Sequence, residues 1–180
     1  DVGVSLSAAE ASVAAPFTSR QQHIGCVMEL LREGRAALAT SFACFKFMAL
    51  YSMIQFTTLT LMYMFRTSLT DGQFIYIDVM LIIPFGVLLS RFGPAASVHP
   101  VQPTARLIST PVLSSIIGQV LLQFAVQISV ALIIAARFSF SDLTADAPSQ
   151  TGNIALFLSS IFLYSTVALV FSFGHPHRQR

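Results

Sequence analysis

The strongest candidate for a functional residue in this sequence is an aspartate inside an apolar run, because its carboxylate could bind a cation. Asp78 lies within residues 73–90, which contain no other charged side chain. Placing a charge in the middle of a membrane helix costs about 2.5–3.5 kcal/mol, so its carboxylate is expected to face a protein interior or a water-filled path and to bind a cation. The alternative is an aspartate near the membrane surface that reaches water or pairs with a neighbour on its own helix.

Two polar residues of the preceding apolar run are candidates to complete this site. Tyr51 and Gln55 are four positions apart, so a helix places them on one face. A short turn over residues 66–72 would make the two runs antiparallel neighbours and bring this face towards Asp78. An amide oxygen can accept from an ammonium group, and a tyrosine ring adds a cation–π attraction of about 0.5–2 kcal/mol. The alternative role is hydrogen bonding between helices.

A proline and a row of glutamines are further features of the apolar runs. Pro84 removes the helical hydrogen bond to the carbonyl of Met80. The opened carbonyl could help to hold a cation, although a plain kink is favoured. Gln119, Gln123 and Gln127 recur every fourth residue and form a stripe, for which polar contact between helices is favoured over the lining of a path.

Four apolar runs must position these residues. They cover 47–65, 73–90, 107–136 and 151–174, and each is long enough for a helix to cross about 30 Å of hydrocarbon. The 180 residues are 54% hydrophobic and only 10% charged, and their mean hydropathy is +0.73. The predicted fold class is therefore mostly α, a multi-pass membrane helical bundle. Residues 27–65 contain no proline, so the first helix is expected to extend from the membrane, at about residue 36, into an aqueous stalk.

Charge and cysteine content exclude several other classes of protein. The net charge of +2 is small and the basic residues are scattered, so no nucleic acid partner is expected. Two cysteines cannot form a disulfide scaffold, and neither has the spacing of a metal ligand. His175 and His177 flank a proline and are only a weak metal signal. No metal site is predicted.

The basic residues predict the orientation of the helices. Arg66 and Arg137, accompanied by acidic residues, fall on one side of the membrane if the four helices alternate. The other basic residues all fall on the opposite side: Arg20, Arg32, Arg35, Lys46, Arg91, Arg106, Arg178 and Arg180. By the positive-inside rule both ends of the chain are expected in the cytosol.

The first 22 residues differ from the rest. Residues 2–6 and 12–17 are predicted as two short strands that lead into the stalk, a small α/β remnant of a soluble domain. The chain begins without methionine, so we expect it to be an internal piece of a longer protein.

Several segments together resemble one known family. They are Asp-Val-Gly-Val-Ser-Leu-Ser at 1–7, Glu-Ala-Ser-Val-Ala-Ala-Pro-Phe-Thr-Ser at 10–19, Arg-Glu-Gly-Arg-Ala-Ala-Leu at 32–38, Phe-Lys-Phe-Met-Ala-Leu-Tyr-Ser at 45–52, Tyr-Ile-Asp at 76–78 and Arg-Phe-Gly-Pro-Ala at 91–95. The sequence is similar to P-type ATPases of type V, subgroup B (P5B), and its spans resemble the family's fifth to eighth helices.

The resemblance implies a division of the chain into domains. Residues 1–22 would be the end of the phosphorylation domain, and 23–46 the stalk with the cytosolic half of the first span. Residues 47–174 would form the transmembrane domain, with helices at about 36–65, 73–90, 107–136 and 151–174, and 175–180 a cytosolic tail.

The same resemblance implies a function, namely ATP-driven movement of polyamines of the spermine and spermidine class from the late endosomal or lysosomal lumen to the cytosol. It assigns substrate contacts to Tyr51, Gln55 and Asp78. ATP and Mg²⁺ would bind upstream, where the phosphorylated aspartate would also lie, so this piece is expected to be inactive alone. Its expected partners are a polyamine, membrane lipid and the remainder of the pump. Two alternatives are a P-type pump for an inorganic cation and a non-enzymatic four-span channel or membrane adaptor.

Overall fold

Four long apolar helices form most of the molecule. The computed structural model describes residues 3–5, 15–19, 23–98, 100–101, 108–137, 146–172 and 178–179. Helices long and apolar enough to cross a membrane cover Gly25–Met64, Asp71–Ser90, Thr110–Arg137 and Ser149–Ser172, the last belonging to a helix that begins at Asp146. The predicted membrane helical bundle of four spans is confirmed.

The ends of these helices differ only slightly from the expected ones. The first helix continues without a break for 40 residues, as its lack of proline predicted. The third begins at Thr110 rather than at residue 107, which lies outside the described residues. The expected end of the fourth at residue 174, and residues 175–177 of the tail, also lie outside them.

The first helix lies at the centre of the bundle together with the fourth, since each of these two packs against the other three. Its buried side chains follow the three- and four-residue spacing of one helix face, which places them against the neighbouring helices. They include Phe47, Leu50, Ile54, Thr58 and Leu61. Phe47 meets Phe85 of the second helix edge to face, with 6.4 Å between ring centroids.

A tight turn reverses the chain between the first two helices. Arg66 adopts a positive φ of 52°, which directs the chain back after Phe65. The second helix then begins with a capping box. The backbone N–H of Gln73 bonds the Thr70 hydroxyl, and the Gln73 side chain accepts from the Thr70 backbone at 2.9 Å. The turn therefore fixes both the antiparallel direction and the starting point of the second helix.

The second helix is wider than an α-helix in its middle third. Residues Asp71–Ile75 and Ile83–Ser90 are α-helical, whereas Tyr76–Ile82 is a π-helix. The N–H of Ile83 accordingly donates to the carbonyl of Asp78, five residues earlier. Pro84 follows at once, and the wide turn accommodates its ring, which would otherwise clash with the carbonyl four residues back.

Short strands lie beside the helices. Val4–Ser5 pairs in parallel with Phe17–Thr18, and Gly93–Pro94 pairs antiparallel with Arg178–Gln179. The second strand was expected at 12–17, so the observed one is shifted towards the stalk. Residues 2, 6 and 12–14 of the two expected strands lie outside the described part of the chain.

Candidate functional site

Asp78 lies on the π-helical segment and is bonded to the first helix. The hydroxyl of Tyr51 donates to its Oδ1 atom at 2.8 Å, a typical length for such a bond. Asp78 is exposed on the surface of the described bundle, so the four described helices do not by themselves form the protein interior expected around it, and Tyr51 is half-buried beside it. The hydroxyl is a neutral donor, so it orients the carboxylate and leaves its negative charge available to a cation.

Gln55 is bonded to a residue of the fourth helix. The hydroxyl of Tyr164 donates to the Oε1 atom of Gln55 at 3.1 Å. Tyr164 is buried, with 1% of its surface exposed. Its ring also contacts that of Tyr51, with 5.6 Å between centroids and 45° between planes. The three residues expected from the sequence are thus joined through Tyr164, although no direct bond links Gln55 to Asp78 among the described contacts.

Tyr164, which contacts two of the predicted residues, was not itself predicted from the sequence. It lies in the apolar run of the fourth helix, where a tyrosine is compatible with simple packing. A signal was nevertheless present, because a buried tyrosine hydroxyl usually finds a hydrogen-bond partner. The sequence could not show that this partner would be Gln55, 109 residues away.

The cluster of Tyr51, Gln55, Asp78 and Tyr164, called the polar cluster below, combines two kinds of group. The Asp78 carboxylate and the Gln55 amide oxygen retain lone pairs that can accept from a ligand. The two tyrosines supply hydroxyl donors to those oxygens and present aromatic surface between them. Such a set suits a cation that carries N–H donors and an aliphatic chain.

The glutamine stripe of the third helix approaches the first helix close to the polar cluster. Gln127 is fully buried, and its Nε2 atom donates to the carbonyl of Ile54 at 3.4 Å. The expected contact between helices is therefore confirmed for this residue. Gln123 is also buried. The Oε1 atoms of Gln119, Gln123 and Gln127 have no hydrogen-bond partner within the described residues.

A second polar network lies at the turn between the first two helices. Asn153 of the fourth helix accepts from Gln73 at 2.8 Å and donates to the carbonyl of Ser68 at 2.7 Å. Nearby, the ring of Phe65 lies 3.0 Å from the position that a Cβ atom on Gly152 would occupy. The turn is therefore held against the fourth helix on the same side of the bundle as the start of the second helix.

These features define the class of the protein: it is a multi-pass membrane protein with a polar cluster between its helices. No protein-family model matches the chain. Individual relatives do match it along almost its whole length.

The vacuolar cation-transporting ATPase YPK9 of Saccharomyces cerevisiae is 44% identical over 183 residues, which are 99% of this chain and 12% of the relative. The polyamine-transporting ATPase 13A2 of Homo sapiens is 43% identical over 184 residues, 99% of this chain and 16% of the relative. The probable cation-transporting ATPase catp-6 of Caenorhabditis elegans is 42% identical over 98% of this chain and 14% of its own length.

The chain is therefore homologous to P5B-type ATPases, and the predicted resemblance is confirmed. It spans about one eighth to one sixth of the length of these relatives.

Proposed function

We propose that this chain is the part of an ATP-driven polyamine transporter that contributes the substrate-binding helices. Two supports converge on this function. Relatives such as human 13A2 are named polyamine-transporting ATPases, and the polar cluster combines a carboxylate, an amide oxygen and aromatic rings. The observation that carries the proposal is the bond from Tyr51 to Asp78, which unites the first two helices around the one charged group of residues 73–90.

Each residue of the site has a distinct task in this proposal. Asp78 pairs with one ammonium group of the polyamine, and the oxygen of Gln55 accepts from another. The ring of Tyr51 covers the intervening CH₂ groups and attracts the cation through its face. The Tyr51 hydroxyl holds the carboxylate in place until the ammonium arrives.

The first helix couples this site to the hydrolysis of ATP. Residues 1–22 form the end of a phosphorylation domain and 23–46 the stalk, while ATP and Mg²⁺ bind in the upstream part of the pump. At 1.5 Å per residue the 40-residue helix is about 60 Å long, roughly twice the thickness of the hydrocarbon layer. It can therefore transmit movement of the head rigidly to Tyr51 and Gln55.

The direction of transport, from lumen to cytosol, is the one that the resemblance to P5B pumps implies, and the predicted orientation of the helices is compatible with it. Both ends of the chain are cytosolic, which places the turn at 65–70 on the luminal side and Asp78 nearer to the lumen than to the cytosol. Polyamine enters from a late endosomal or lysosomal lumen and leaves to the cytosol.

Neutralising Asp78 in the full-length pump tests the function. Asp78→Asn is expected to lower spermine-stimulated ATPase activity at least tenfold, because the amide cannot pair electrostatically with an ammonium. Phosphoenzyme formation from ATP should persist, which shows that the variant is folded. Asp71→Asn is the matched control, since Asp71 is an exposed carboxylate at the start of the same helix and outside the polar cluster. Unchanged spermine stimulation of Asp78→Asn would contradict the assignment.

The name of the yeast relative, a cation-transporting ATPase, does not say which cation that protein moves, so the alternative of an inorganic cation needs a separate test. The rate of dephosphorylation separates the two candidates. In the proposed function spermine accelerates it, whereas Ca²⁺, Mn²⁺ and Zn²⁺ do not. Acceleration by one of these metals and not by spermine would favour the inorganic cation.

A further inference from the structure

Within the polar cluster, Tyr164 of the fourth helix contacts both Tyr51 and Gln55 of the first helix. Its hydroxyl lies 3.1 Å from the Oε1 atom of Gln55, and its ring packs on that of Tyr51 at 5.6 Å. With 1% of its surface exposed, it has no surface available for a ligand. The tasks proposed above for Tyr51, Gln55 and Asp78 do not include it.

A glutamine side chain can present either end of its amide to a ligand. Only the oxygen accepts from an ammonium group, whereas the NH₂ group is a donor and would repel it. A half-buried glutamine without a fixed partner would also have to be ordered when the ligand binds, which lowers affinity. The bond from Tyr164 fixes the place of the oxygen and leaves its second lone pair unused.

The contact between the rings of Tyr164 and Tyr51 also orders the site before the ligand binds. Tyr51 must keep its ring beside the substrate while its hydroxyl holds Asp78. Because the Tyr164 ring lies against it, tilted by 45°, the Tyr51 ring has a fixed support on the side of the fourth helix.

We infer that Tyr164 is a positioning residue of the polyamine site, which orders the Gln55 oxygen and the Tyr51 ring before substrate binds. This inference rests on the proposed function. It adds the fourth helix to the helices that determine affinity for the substrate, without giving that helix a substrate contact.

Removing one hydroxyl from the full-length pump tests the inference. Tyr164→Phe keeps the ring and loses the donor, so the KM for spermine in the ATPase assay should rise about three- to tenfold, the range expected for one hydrogen bond. The kcat should stay within about twofold, because ATP hydrolysis occurs upstream. Tyr63→Phe is the matched control, since Tyr63 lies on the first helix and is 68% exposed, and it should leave KM unchanged.

A double-mutant cycle separates positioning from a general loss of packing. Gln55→Met removes the amide, so adding Tyr164→Phe to it should raise KM no further. An equal effect of Tyr164→Phe in both backgrounds, or no effect in either, would overturn the inference. If Tyr164→Phe lowers the phosphoenzyme yield, the same criteria for KM apply, because KM does not depend on the amount of active pump in the assay.

The Asp78→Asn variant distinguishes failure of this inference from failure of the function. Loss of spermine stimulation in Asp78→Asn together with a wild-type KM in Tyr164→Phe overturns only the role of Tyr164. Full stimulation in Asp78→Asn overturns the proposed site, and the role of Tyr164 with it.

Discussion

Asn153 shows how much a single side chain contributes to the turn between the first two helices. Its amide accepts from Gln73 and donates to the Ser68 carbonyl and, at 3.3 Å, to the Thr67 hydroxyl. At about 0.5–1.5 kcal/mol net for each of the three bonds, Asn153→Ala should lower the free energy of unfolding by about 1.5–4.5 kcal/mol. Thermal unfolding of the purified full-length protein in detergent would show this as a lower midpoint.

Gln150→Ala is the control for this change, because Gln150 is an exposed amide one turn earlier on the same helix. It should leave the midpoint unchanged. Equal midpoints for Asn153→Ala and the wild type would mean that water replaces these bonds without cost, and that the turn does not depend on the fourth helix.

At the scale of residues, the sequence could predict those members of the polar cluster that a local pattern distinguishes. Asp78 was visible as a charge in an apolar run, and the spacing of Tyr51 and Gln55 placed them on one face. The partners of these residues were not visible. The Gln55–Tyr164 and Gln73–Asn153 bonds join positions 109 and 80 residues apart, and only the packing of the helices decides which distant side chains meet.

The π-helical segment is the feature of the second helix that positions Asp78. Pro84→Ala restores an N–H that can donate to the Met80 carbonyl, which favours an α-helical turn. A π-helical turn holds one residue more than an α-helical turn. If it becomes α-helical, the parts of the helix before and after it rotate by about 100° relative to each other. The Asp78–Tyr51 contact should then be lost, and the KM for spermine should rise about tenfold in the ATPase assay.

Gly86→Ala serves as the comparison, because a methyl group there meets no atom within 4 Å and the residue lies after the π-helical segment. It should keep the wild-type KM. If Pro84→Ala keeps it too, the wide turn does not determine the position of the carboxylate.

At the scale of elements, the sequence predicted a disturbance near Pro84 but not its form. The position of a proline determines which helical hydrogen bond is missing. It does not determine whether the backbone there forms a kink, an opened carbonyl or a wide turn. Here the response is a π-helix that contains Asp78. The choice depends on how the second helix packs on the first and fourth, which local sequence does not specify.

The whole molecule is organised by an even number of crossings. The four helices of the described residues would return the chain to the side from which it started, and the distribution of lysine and arginine predicts that this side is the cytosol. The number and approximate position of these helices were the most predictable features, because the length and hydropathy of each run are properties of contiguous sequence. The central place of the first and fourth helices was not predictable in the same way, since it follows from the contacts that each makes with the other three.

Cysteine labelling tests this orientation in the full-length pump. In a background in which Cys26, Cys44 and the cysteines of the rest of the pump are replaced by alanine, Glu29→Cys and Asp71→Cys place single thiols at exposed positions before the first span and at the start of the second. In sealed organelles, whose cytosolic face is outermost, a membrane-impermeant maleimide should label Glu29→Cys at once and Asp71→Cys only after detergent is added. The opposite pattern would invert the topology. It would place Asp78 nearer to the cytosol than to the lumen, which contradicts the proposed entry of polyamine to this carboxylate from the luminal side.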